Sequence, residues 1–138
     1  MGYMFYNNKD FNKPLDSWDV SNVTNMKAMF TSASSFNQPL IAWDVSSVTN
    51  MQEMFYATSS FDQDLSGWDV SNVTTMTNMF VNSAFTGQGL STWSPTSALE
   101  NMNQTFYGTP LPSDIDLGSW DVSGVKNFDR CFYNSDIT

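Results

Sequence analysis

Apolar and polar positions alternate over a short stretch that recurs along the chain. In Leu15-x-x-Trp18-x-Val20 the last two apolar residues are separated by a single polar one, which is the two-residue period of a strand. Trp18 and Val20 are therefore expected to face the same, inward side. The stretch predicts a short strand.

A second apolar stretch follows with a different period. Its four apolar residues stand at i, i+3, i+6 and i+7, the stripe of an amphipathic helix: Val23, Met26, Met29 and Phe30. Ser21 precedes the stripe and is a suitable N-cap, because its hydroxyl can accept a free N–H of the first turn. The polar segment 31–35 then predicts a turn and an extended return. Each unit is expected to contain a strand, a helix and a return.

The same motif repeats throughout the chain. Trp-Asp-Val-Ser-Asn-Val-Thr-Asn-Met, beginning at Trp18, recurs from Trp43 and Trp68 and in weaker copies from Trp93 and Trp120. Trp18, Trp43 and Trp68 are 25 residues apart. A repeat period of roughly 20–50 residues indicates stacked units, because one unit cannot bury its own apolar face. We expect a single domain over residues 1–138, with a half-unit at 1–10 and units at about 11–35, 36–60, 61–84, 85–110 and 111–138.

The predicted fold class is an α/β repeat solenoid of about five units. It is expected to be a right-handed coil similar to leucine-rich repeats, with parallel strands about 4.8 Å apart on the concave side. The predicted core consists of the apolar residues that recur at inward positions. They are Leu15, Trp18, Val20, Met26, Phe30, Leu40, Trp43, Val45, Met51, Phe55, Leu65, Trp68, Val70, Met76, Phe80, Leu90, Trp93, Met102, Phe106, Leu117, Trp120, Val122, Phe128 and Phe132.

Charge narrows the range of partners. The net charge is −9, and no basic residue lies between Lys27 and Lys126. Nucleic acids and anionic membrane surfaces are poor partners, because both require clustered Lys and Arg. No apolar run is long enough to span a membrane. Basic surfaces of other proteins, or divalent cations, fit the charge better.

One acidic position recurs in the motif, at Asp19, Asp44, Asp69 and Asp121. Stacked carboxylates repel one another, so we expect each to accept N–H bonds from the residues just ahead, as in an Asx turn leading into the helix. A partner-facing acidic stripe and a weak Ca²⁺ site are the alternatives. The candidate partner face contains the four aspartates and the serines two residues later: Asp19, Ser21, Asp44, Ser46, Asp69, Ser71, Asp121 and Ser123.

Catalysis has little support in the sequence. The chain has no histidine, and its one cysteine, Cys131, occupies a column otherwise filled mainly by methionine. No nucleophile–base pair or phosphate-binding loop stands out from the repeat, so we predict no enzyme and no cofactor. The aromatic columns could stack on sugars, but their period favours the core.

The segment from Phe11 to Phe30, Phe-Asn-x-Pro-Leu-x-x-Trp-Asp-Val-Ser-Asn-Val-Thr-Asn-Met-x-x-Met-Phe, resembles the BspA-type leucine-rich-repeat-like family. It is also similar to repeats of uncharacterised mycoplasma surface lipoproteins. The resemblance covers most of the chain, with departures at Ser94-Pro95 and Leu111. It implies a non-catalytic recognition or adhesion module at the cell surface, with its signal or anchor outside this chain.

The chain begins and stops inside a predicted helical half-unit, and neither end resembles the polar cap of a solenoid. Two explanations fit: the chain is a piece of a longer array with flanking units outside it, or another chain covers its ends. The second explanation gives the alternative function, in which further copies of the chain stack end to end into a fibre or larger assembly.

Overall fold

The structure, a computed structural model, describes residues 1–135. Within these residues the only helix is a 3₁₀-helix, Leu90–Thr92, and the rest of the backbone forms turns, irregular segments and isolated parallel β-bridges. The bridges join Asn25 to Asn50, Asn50 to Thr75, Thr75 to Asn101 and Asn101 to Asn127. The predicted α/β solenoid, with a strand and a helix in each unit, is therefore wrong.

Successive repeats nevertheless lie one above another, and we call each repeat a layer. The layers are joined through residues 25–33 and their equivalents, which we call the bridge segment. Every second residue of this segment donates its N–H to a carbonyl of the following layer. The N–H of Met26 donates to the Asn50 carbonyl, Ala28 to Gln52, Phe30 to Met54 and Ser32 to Tyr56, each at 2.8–2.9 Å.

The bridge segment is the region for which a helix was expected. Its other N–H groups close short turns, from Met29 to the Met26 carbonyl at 3.2 Å and from Ala33 to the Phe30 carbonyl at 2.9 Å. Ala28 has a φ of 53°, the left-handed conformation that a type II turn requires at its third position. An α-helix would need every N–H to bond four residues back within the segment. Here alternate N–H groups leave the layer, so no helix forms and Ser21 caps none.

The stretch expected to be a strand is also a pair of turns. Trp18 donates its N–H to the Leu15 carbonyl at 3.0 Å, and Val23 donates to the Val20 carbonyl at 2.8 Å. The contact between layers comes instead from a side chain, since the Trp43 indole N–H donates to the Leu15 carbonyl at 2.9 Å. Later layers repeat this bond at 2.9–3.0 Å, from Trp68 to Leu40, Trp93 to Leu65 and Trp120 to Leu90. No parallel strands line a concave side in residues 1–135.

The interior of the stack is aromatic. Phe55 stacks on Phe30 and on Phe80 in the neighbouring layers, with centroid distances of 5.6 and 5.5 Å. Within its own layer it stacks on Phe61 at 4.1 Å. Phe36, Phe61 and Phe85 are fully buried but were not among the predicted core residues. Their spacing of about 25 residues would have identified them.

Most of the predicted core residues are buried, but some near the two ends of the stack are not. Trp18, Val122 and Phe128 are 38%, 43% and 43% exposed, and for these three the core assignment is wrong. Leu117 and Phe132 are only partly buried and pack against the core from its edge. The equivalent residues of middle layers are covered on both sides, whereas these lie in the outer layers.

Candidate functional site

The recurrent aspartates and serines lie on the outside of the stack, where we call them the Asp–Ser column: Asp19, Ser21, Asp44, Ser46, Asp69, Ser71, Asp121 and Ser123. All four aspartates are exposed. In the second layer, Asp44 Oδ1 accepts the Ser46 N–H at 3.1 Å and its hydroxyl at 2.6 Å. The backbone half of this Asx turn recurs at 2.9–3.1 Å in the layers of Asp19, Asp69 and Asp121. The predicted turn is present, although no helix follows it.

These hydrogen bonds favour the charged form of the carboxylates. The Ser46 hydroxyl, and then the Ser46 N–H, hold the pKa of Asp44 below its usual value. Ser21 lowers the pKa of Asp19 in the same way, and Ser123 lowers that of Asp121. The charge of Asp19 acts in the opposite direction on Asp44, so adjacent column carboxylates are close enough to repel. The hydrogen bonds from Ser46 therefore hold Asp44 ionised despite that repulsion.

No cation neutralises the column from within residues 1–135. The ion pairs in this range join Lys126 to Glu100 at 2.8 Å and Arg130 to Asp129 at 3.9 Å, and none involves a column aspartate. Both pairs are exposed and contribute little to stability. The four carboxylates therefore present uncompensated negative charge to the solvent.

The fourth layer interrupts the column. Ser94 stands in place of the aspartate, so the layer has no carboxylate at this position. The nearest turn of this kind is closed by Thr96, whose Oγ1 donates to the Ser71 carbonyl at 2.8 Å and accepts the Ala98 N–H at 3.2 Å. The uncharged layer separates Asp121 from the three aspartates of the earlier layers.

The calcium alternative finds no assembled ligand set in the described part of the chain. No group of three or more His, Cys, Asp or Glu side chains is placed there to hold a metal ion. Ca²⁺ takes six to eight oxygen ligands, and each column aspartate already uses one oxygen in its turn. A column site would therefore need most of its ligands from water or a partner.

Aromatic side chains on the surface are a separate feature. Apart from their members in the outer layers, the Phe and Trp columns are buried, so the ring faces inside the stack cannot stack on a sugar. An open pocket of about 330 Å³ is lined by Tyr107, Arg130 and Tyr133, and the two tyrosine rings stack at 5.3 Å. The sequence prediction missed this pocket, although the 26-residue spacing of the tyrosines placed them in one column.

Cys131 is buried at 2% exposure. Burial raises the pKa of its thiol to about 12, so the thiolate that would act as a nucleophile is scarce at neutral pH. It fills the core position that methionine occupies in most other layers.

Comparison with known protein families now identifies the repeat. The family described as "Mycoplasma protein of unknown function, DUF285" matches residues 1–93 and again residues 68–137. The chain belongs to this family. The match agrees with the predicted resemblance to mycoplasma repeats, and it does not address the BspA-type part of that resemblance.

No curated protein and no solved structure matches the chain. Within residues 1–135, no helix has the length and apolar character needed to cross a membrane.

Proposed function

We propose that the chain is a non-catalytic recognition module, displayed at the cell surface, that binds basic surfaces of partner proteins through the Asp–Ser column. The observation that carries this proposal is the exposed column itself, whose carboxylates are ionised and make no ion pair within the described residues. The BspA-type resemblance of the motif supports recognition over catalysis.

The column has the properties of a preorganised binding surface. Each carboxylate is oriented by its own Asx turn, as Asp44 is by Ser46. Each turn is carried by a layer tied to the next through backbone hydrogen bonds. A partner would therefore meet charges whose positions are already ordered, which lowers the entropic cost of binding. Complementary charge would also speed association.

The experiment measures binding of poly-L-lysine, as a basic probe, by biolayer interferometry at near-physiological ionic strength. The test variant carries Asn at Asp19, Asp44, Asp69 and Asp121. Asparagine keeps the side-chain oxygen that accepts the turn N–H and removes only the charge. We expect binding to weaken by more than about tenfold, because close charge pairs are lost.

The matched control replaces four other exposed aspartates, Asp10, Asp16, Asp64 and Asp116, with Asn. It removes the same total charge from outside the column. The control is expected to bind within about threefold of the natural chain, the scale of a small free-energy difference. Equal weakening in both variants would show that overall charge, rather than the column, attracts the probe, and would refute the proposed binding surface.

Surface display is tested separately in the organism that makes the protein. Intact cells are treated with protease and the chain is followed by immunoblot, with a cytoplasmic protein as the control. Loss of the chain while the control persists is the expected result. Protection equal to that of the cytoplasmic control would refute surface display.

A further inference from the structure

A ladder of side chains joins the return segments, which precede the tryptophan of each layer as residues 36–42 precede Trp43. In three successive pairs of layers, a backbone N–H of the later return segment donates to a side-chain oxygen of the earlier one. The bonds run from Asn37 to Asn12 at 3.0 Å, from Asp62 to Asn37 at 3.0 Å and from Thr86 to Asp62 at 2.8 Å. The ladder thus fastens the return segments of the first four layers to one another.

The ladder stops before the fifth layer. Each donor directly follows a buried apolar residue, as Thr86 follows Phe85, and the corresponding pair in the fifth layer is Leu111 and Pro112. Proline has no backbone N–H to donate. The segment is also longer, since nine positions separate Leu111 from Trp120, against seven or eight in the earlier layers. The sequence of the fifth layer therefore cannot continue the ladder.

Residues 110–118 are consequently tied to the stack only through their two ends. None of them forms a hydrogen bond with another layer in the described part of the chain. Just before them, Thr109 Oγ1 donates to the Phe80 carbonyl at 2.9 Å. Just after them, Ser119 Oγ donates to the Trp93 carbonyl at 2.8 Å. The stretch between these two anchors lacks the bonds that join the other return segments.

Apolar contact with Gly87 holds the middle of this stretch. Leu111 is fully buried and Ile115 is partly buried. A Cβ added at Gly87 would lie 2.7 Å from Ile115 Cδ1 and 3.0 Å from Leu111 Cδ2, so both side chains rest directly on the glycine. Glycine permits this close approach because it has no side chain. Two apolar side chains, without a hydrogen bond, keep the stretch on the fourth layer.

We propose that residues 110–118 form a lid that opens as a unit while the layers remain stacked. Opening breaks the contact of Leu111 and Ile115 with Gly87, and both anchors stay in place because they lie outside the lid. Local opening of this kind occurs where few buried contacts hold a segment. The open lid exposes Leu111 and its seat on the fourth layer, so it gates an apolar surface. No residue of the Asp–Ser column lies within the lid, so the two proposals are independent.

The test is native-state hydrogen exchange, measured by NMR at urea concentrations below the unfolding transition. The Leu111 amide, bonded locally to the Thr109 carbonyl at 2.8 Å, reports opening of the lid. The Phe106 amide, bonded to the Cys131 carbonyl at 2.8 Å, reports separation of the fourth and fifth layers.

The protection factor of the Leu111 amide is expected to be at least about tenfold lower than that of Phe106, because the lid opens without the layer. Its exchange should also depend little on urea, since a local opening exposes little surface. Equal protection and equal urea dependence of the two amides would overturn the proposal, because the lid would then open only together with its layer.

A variant of the seat tests what holds the lid closed. Ile115→Ala should speed exchange of the Leu111 amide by about tenfold, because it removes one of the two apolar contacts, and should change that of Phe106 by less than about twofold. Ile41→Ala, the same substitution at an exposed position of the second layer, should leave both amides unchanged. An unchanged Leu111 rate in Ile115→Ala, or equal acceleration of both amides, would overturn the lid.

Thiol labelling tests whether opening exposes the side chain itself. In Leu111→Cys, the introduced thiol should react with iodoacetamide at least about tenfold faster than in Leu65→Cys, because reaction of a buried thiol requires local opening. Leu65 is a fully buried leucine of the third layer, where the ladder is intact. Equal labelling rates in the two variants, both folded by circular dichroism, would show that no lid gates Leu111.

Discussion

The tryptophan column provides the sharpest test of how the layers hold together. Trp43 is 1% exposed, its ring lies 6.3 Å from that of Phe30, and its indole N–H donates to the Leu15 carbonyl at 2.9 Å. Trp18 occupies the same position one layer earlier but is 38% exposed. Its indole has no hydrogen-bond acceptor within residues 1–135. The two residues therefore differ in burial and hydrogen bonding while sharing the same chemistry and motif.

Replacing Trp43 with alanine should lower the free energy of unfolding by about 4 kcal/mol. Full burial of a large aromatic side chain corresponds to about 4–6 kcal/mol of transfer free energy, and measured losses for such truncations are about 3–5 kcal/mol. Loss of the indole hydrogen bond contributes about 1 kcal/mol of this. The Leu15 carbonyl keeps its bond from the Trp18 N–H at 3.0 Å, so it is not left unpaired.

The measurement is urea denaturation followed by circular dichroism, with Trp18→Ala as the matched control. The control should cost about 1–2 kcal/mol, because a partly exposed ring loses less on truncation. Trp43→Phe, which keeps a ring but loses the N–H, should also cost about 1–2 kcal/mol. Equal losses for Trp43→Ala and Trp18→Ala would refute the view that burial between two layers and the indole bond stabilise the stack.

Two further predictions concern backbone conformation and pH. Ala57 has a φ of 53°, and Gly108 occupies the equivalent position two layers later, so Ala57→Gly should stabilise the fold by about 0.5–1 kcal/mol and raise the Tm. Ala42→Gly, outside the left-handed region, should lower it by a similar amount; a fall for both would contradict the conformational argument. Because Ser46 holds the pKa of the Asp44 carboxyl below 3.8, their bond stabilises the fold above that pH and is lost as the pH falls through the lowered pKa. In Ser46→Ala, a ¹³C NMR titration should find the pKa of Asp44 shifted back toward 3.8, and an unchanged pKa would refute the role of the hydroxyl.

The sequence alone determined which residues belong together. The 25-residue spacing of Trp43, Trp68 and Trp93 placed equivalent residues in columns, because residues one repeat apart become neighbours in space when the repeats stack. It also identified the Asp–Ser column and its Asx turns, since that turn depends only on residues two apart. The pocket at Tyr107 and Tyr133 was missed because two tyrosines in one column carry no local signal of a cavity.

Only the tertiary structure decided the backbone conformation. Met26, Met29 and Phe30 have helical spacing, but consecutive four-residue turns bring side chains inward at the same positions. Whether this segment forms an α-helix or a series of turns depends on hydrogen bonds to residues about 24 positions away in the chain. The local spacing of apolar residues contains no information about those bonds. Left-handed conformations at Ala28 and Glu53 are likewise imposed by those bonds, because neither residue type favours them. Exposure of Trp18 has the same origin, since burial in this stack depends on a neighbouring layer rather than on the residue itself.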